Sequence, residues 1–134
     1  MDQNAKILVV DDDPDIRTVL TALLEARGYQ IVTASDGKEG LATLKAEKPD
    51  LMILDLLMSE MDGYAVCKEL ADPRWAKYAH IPILVLTSVR EDASRRRYEL
   101  ETGMAMNVDD YIEKPINPPV VLERVERLLK KSKK

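Results

Sequence analysis

Short runs of aliphatic and β-branched residues alternate with helix-like patterns five times along the chain. The runs are Lys6 to Val10, Gln30 to Ala34, Leu51 to Leu54, Ile81 to Leu86 and Asp110 to Ile112. Several are continuously apolar, as strands buried on both faces are. Strands that alternate with helices predict βα units and a mostly parallel sheet covered on both sides. Between the first two runs, Ile16, Val19, Leu20, Leu23 and Leu24 recur at helical spacing, with Asp13 as cap, Pro14 in the first turn and Gly28 at the stop. Near the other end, Asn117 is expected to cap a helix opened by Pro118 and Pro119, with the apolar stripe Val121, Leu122, Val125, Leu128 and Leu129. Lys130, Lys131, Lys133 and Lys134 follow. They read first as a solvated helix end, where cations meet the negative end of the dipole, and second as a binding tail or linker. With no repeat or internal linker, the expectation is one domain over 1–134, its core about 5–130 and a basic end at 131–134.

Composition narrows the class. Of 134 residues, 46% are hydrophobic and 33% charged, with five Gly and seven Pro, a profile of a folded chain and not of a disordered one. No apolar run reaches the roughly 18 residues that a bilayer demands, and MDQNAKILVV lacks a leader's long apolar stretch; a cytoplasmic protein with no membrane contact is expected. The single Cys67 has no partner for an internal disulfide, and its helical pattern with Tyr64 and Leu70 makes it a buried structural thiol. A net charge of −4 argues against direct nucleic acid binding, which needs a basic footprint.

Candidate chemistry gathers where the apolar runs end, and in open α/β sheets ligands bind beyond the carboxyl ends of the strands. Asp11, Asp12 and Asp13 follow the first run, Asp55 the third, Thr87 and Ser88 the fourth, and Lys114 with Pro115 the fifth. If the first and third strands are neighbours, as in the doubly wound order 2-1-3-4-5, the carboxylates of Asp11, Asp12 and Asp55 converge near the switch point. Clustered carboxylates repel one another, so a proton or a metal must compensate, and hard oxygen donors favour magnesium. Capping accounts for Asp13 alone but not for Asp12 and Asp55 together.

The segments ILVVDDD, LMILD followed by MDG, VLT and DYIEKP, in this order and at successive strand ends, resemble the receiver domain of two-component response regulators over nearly the whole chain. The resemblance implies a (βα)5 flavodoxin-like three-layer sandwich with parallel order 2-1-3-4-5. It implies Asp55 as phosphoacceptor, magnesium bound through the side chains of Asp12 and Asp55, through water at Asp11, and by the backbone carbonyl of Leu57. Thr87 and Lys114 would contact the phosphoryl oxygens, a cis bond before Pro115 would aim Lys114 inward, and Thr87 with Tyr111 would form a switch. The donor implied is a phosphohistidine of a sensor histidine kinase or phosphotransfer protein, and the output a downstream protein target. Such a domain is no enzyme beyond its own phosphorylation and slow dephosphorylation.

Departures from the family pattern carry expectations of their own. Ser59 stands where Pro is common. Leu57 and Val89 are apolar where polar side chains can orient an attacking water, so slow loss of phosphate is expected. The segment Ser88 to Asn107 is long; its Arg90, Arg95, Arg96 and Arg97 read as a partner surface or, with Glu91, Asp92, Glu99 and Glu101, as a solvated helix. Met104 and Met106 read as packing, His80 as a surface residue, and Trp75 as cover for the adjoining loop. The alternatives are a stand-alone phosphorelay intermediate, a phosphate-independent receiver-like interaction domain, and a phosphatase-like enzyme using Asp11 and Asp13 as a D-x-D pair. Against the last, Asp15 departs from that pattern and Asp55 would have no role. A monomer or weak homodimer is expected.

Overall fold

The computed structural model of the chain describes residues 5–56, 58, 61–87 and 108–132, apart from the side chains of Thr87 and Ser132. In chain order these form β1 (Lys6–Val10), α1 (Pro14–Glu25), β2 (Gln30–Ala34), α2 (Gly37–Glu47), β3 (Leu51–Asp55), α3 (Gly63–Leu70), a 3-10 helix (Pro73–Tyr78), β4 (Ile83–Thr87), β5 (Asp110–Glu113) and α4 (Pro118–Ser132). All strand pairs are parallel and the order is β2-β1-β3-β4-β5, so the sheet is doubly wound and flavodoxin-like as expected.

Strand periodicity builds two cores. Leu8, Val10, Met52, Leu54, Ile83 and Val85 face one side and pack with residues of α2, α3 and the 3-10 helix. Their neighbours Ile7, Val9, Leu51, Ile53, Leu84 and Leu86 face the other, against Leu20 and Leu24 of α1 and Val121, Val125, Leu128 and Leu129 of α4. Both faces of the central strands are therefore buried, which explains their unbroken apolar runs.

Aspartates cap α1 to α3. Asp13, Asp36 and Asp62 accept hydrogen bonds from the backbone N–H groups of Asp15, Glu39 and Ala65, and Pro14 opens α1. Gly28, past the end of α1, has φ 91°, a conformation that favours glycine. Cys67 is buried on α3, and burial with the nearby Asp62 charge pushes its thiol up to about 12, in keeping with a structural role.

The fourth strand begins at Ile83, two residues later than the apolar run suggested. The Ile81 N–H is spent on the Tyr78 carbonyl, and Pro82 has no N–H to give to a ladder. The 3-10 helix ahead of it was not expected. Asp72 caps it, Pro73 opens it, and Trp75 is buried within it, its Nε1 donating to Glu69 Oε2 at 2.8 Å under the Lys45 ammonium, 4.8 Å from the ring centroid. Trp75 is thus a core residue that anchors the loop. His80 is exposed.

Candidate functional site

The sheet register sets the site. Val10 pairs with Leu54, so the next residues, Asp11 and Asp55, leave neighbouring strand ends side by side. Thr87 pairs with Glu113, which places Lys114 one residue beyond β5. Carboxylate oxygens of Asp11, Asp12 and Asp55 lie within 4.8 Å of one another, Asp11 and Asp55 buried and Asp12 exposed. The Lys114 ammonium reaches across from β5, 3.2 Å from Asp55 Oδ1 and 3.6 Å from Asp11 Oδ2. The Lys114–Pro115 peptide bond is cis, as the resemblance implied.

Glycine lets the first residue of α3 approach the end of β3 closely. The Gly63 N–H donates to the Leu56 carbonyl at 2.9 Å, and a Cβ on Gly63 would meet the Asp55 carbonyl at 2.5 Å and Leu56 Cα at 2.8 Å. The MDG segment therefore has a steric reason for its glycine.

Among the described residues, the carboxylates of Asp11, Asp12 and Asp55 gather at one place, with the Lys114 ammonium beside Asp11 and Asp55. Burial pushes the Asp11 carboxyl above the ordinary carboxylate range; the Asp13 N–H and Lys114 pull it back, while the Asp12 charge adds to the rise. Asp11 Oδ2 is buried and has no hydrogen-bond partner among the described residues. A buried acceptor left in this way is uncommon, and it faces a cluster of hard oxygen donors; the residues present fit a divalent cation of the oxygen-liganded kind.

Asp11, Asp12, Asp55 and Lys114 are thus brought together. Thr87 ends the neighbouring strand β4, and Tyr111 lies half-buried on β5. Leu57, the Thr87 side chain, Ser59 and the whole of 88–107, including Val89, the arginines, Met104 and Met106, lie outside the described residues. Asp13 is exposed and its side chain caps α1, and its N–H holds Asp11 Oδ1; neither role suits the second Asp of a phosphatase pair. Sequence reasoning missed Arg17, half-buried on α1, whose Nη1 donates to the Asp11 carbonyl at 2.7 Å. Its signal was faint: a basic residue one turn into a helix that opens on an acidic triplet.

An open parallel sheet with an acidic cluster and a lysine at its strand ends is the architecture of a phosphate-signalling receiver. The chain belongs to the response regulator receiver domain family, whose model matches residues 7–126. Among its relatives, the alkaline phosphatase synthesis transcriptional regulatory protein PhoP of Bacillus subtilis is 41% identical over 129 residues, covering 96% of this chain and 50% of that protein. The protein named Probable transcriptional regulator ycf27 of Cyanophora paradoxa is 41% identical over 127 residues, covering 95% of this chain and 49% of that protein. The chain thus spans about half the length of the curated relatives it matches. Among solved structures, the receiver domain of a signal transduction histidine kinase from Syntrophus aciditrophicus aligns with TM-score 0.78 and 35% identity, covering 95% of this chain and 91% of that one. Chemotaxis protein CheY4 of Vibrio cholerae aligns with TM-score 0.78 and 29% identity, covering 93% and 98%.

Proposed function

We propose that Asp55 accepts a phosphoryl group from a phosphohistidine of a sensor histidine kinase or phosphotransfer protein, in a magnesium-dependent reaction. The observation that carries this reading is the buried Asp55 carboxylate set beside Asp11 and Asp12 with the Lys114 ammonium 3.2 Å away. Asp11, Asp12, Asp55 and the backbone carbonyl of Leu57 are the groups that would hold magnesium. Bound there, the ion supplies positive charge that offsets the phosphoryl oxygens and the clustered carboxylates.

The rest is work for the chain itself. A carboxylate oxygen of Asp55 attacks phosphorus in line, the P–N bond breaks, and the imidazole leaves with its electron pair and takes a proton from solvent. Lys114 holds a phosphoryl oxygen and balances its charge, and burial keeps that attraction strong. Thr87 contacts a second oxygen. Movement of Thr87 toward the phosphoryl group and of Tyr111 inward would then carry the local charge change to a surface that binds a downstream protein.

The domain has its core at about 5–130, with a basic end at 131–134, and works in the cytoplasm beside its kinase. Among the described residues no helix is long and apolar enough to cross a membrane. The relatives named as transcriptional regulators are about twice as long as the match, and the net charge of −4 supports a protein partner, not nucleic acid, for this part. The test is phosphotransfer from a labelled histidine kinase. An adduct that is cleaved by hydroxylamine, as an acyl phosphate is, and absent from Asp55→Asn, supports the reading; label that survives hydroxylamine or remains in the variant contradicts it.

A further inference from the structure

We infer that Arg17 is a positioning residue for the metal site, an inference that rests on the magnesium reading above. Asp11 is fixed from three sides. Its N–H donates to the Ala34 carbonyl at 3.1 Å, its Oδ1 accepts from the Asp13 N–H at 2.9 Å, and its carbonyl accepts from Arg17 Nη1 at 2.7 Å. Only Oδ2 is left without a hydrogen bond among the described residues, and it is the oxygen that faces Lys114.

Arg17 holds this loop twice. Its backbone N–H donates to the Asp13 carbonyl at 3.1 Å, the first hydrogen bond of α1, while its side chain folds back to the Asp11 carbonyl. The two bonds span the whole acidic triplet and tie it to the start of the helix. A guanidinium, with donors fixed in a plane and a charge kept at all working pH values, suits a short bond of this kind. The outcome is a carboxylate held in one orientation before any cation arrives. Groups that orient a metal ligand in this manner contribute strongly to metal affinity.

The experiment is calorimetric titration with magnesium chloride of the wild type, Arg17→Met and Arg17→Lys, alongside thermal unfolding of each protein in EDTA. Arg17→Met keeps the apolar stem and removes the donor. The expected result is a Kd raised on the order of 10-fold in Arg17→Met, at an unfolding midpoint near that of the wild type. Arg17→Lys should regain part of the affinity, and acetyl phosphate labelling of Arg17→Met should recover at saturating magnesium. A folded Arg17→Met with wild-type affinity overturns the inference. So does a variant that fails to fold, because Arg17 would then serve the fold and not the site. Absence of magnesium binding by the wild type would instead overturn the reading of the site, and the inference with it.

Discussion

Asp11 shows how function and stability oppose each other within one side chain. It is fully buried at the end of β1, its carboxyl is raised chiefly by desolvation, and Oδ2 lacks a hydrogen-bond partner among the described residues. An asparagine would keep the acceptor for the Asp13 N–H and remove the charge repulsion. Asp11→Asn should therefore be more stable than the wild type by about 1 kcal/mol in EDTA, as measured by urea unfolding, and should lose most of the stabilisation that magnesium gives the wild type. Equal or lower stability in EDTA would show that the cluster is already balanced. A second expectation concerns Leu57 and Val89, whose apolar side chains offer nothing to orient water. Leu57→Asn with Val89→Glu should shorten the lifetime of the phosphorylated form several-fold or more, and unchanged decay would remove the idea. Asp11, Asp12, Asp55 and Lys114 were legible in the sequence because strand ends collect ligands and each follows an apolar run. Arg17 was not, since an arginine in the first turns of an amphipathic helix looks like any solvated charge.

At the scale of elements, the site depends on the start of α3 lying close against the end of β3. Gly63 opens α3 with its N–H on the Leu56 carbonyl, and the atoms a Cβ would meet are backbone, which cannot rotate away. Gly63→Ala should cost roughly 2–4 kcal/mol in chemical unfolding and displace the Asp55 carbonyl; a loss under about 1 kcal/mol would mean that the loop yields readily. The strands and the capped helices could be read directly, because period-2 and period-3.6 patterns and Asp caps are local signals. What escaped depended on competition between neighbours. Pro82 and the Tyr78 carbonyl delay β4, and the 3-10 helix was hidden in six residues, although Asp72, Pro73 and the three-residue spacing of Trp75 and Tyr78 were available as its signal.

At the scale of the molecule, the sheet order brings the ends of β1, β3, β4 and β5 to one side of the sheet. β1 and β3 are adjacent and central, so Asp11 and Asp55 meet although their positions are 44 apart in the sequence, and β5 brings Lys114 back from the sheet edge. The most direct test of the account is intact-mass analysis after incubation with acetyl phosphate, with and without magnesium, on the wild type and Asp55→Ala. The account predicts one phosphoryl adduct that requires magnesium and is absent from Asp55→Ala. An adduct that persists in Asp55→Ala would move the acceptor to another residue, and no adduct on folded wild-type protein would contradict phosphate chemistry at this site altogether.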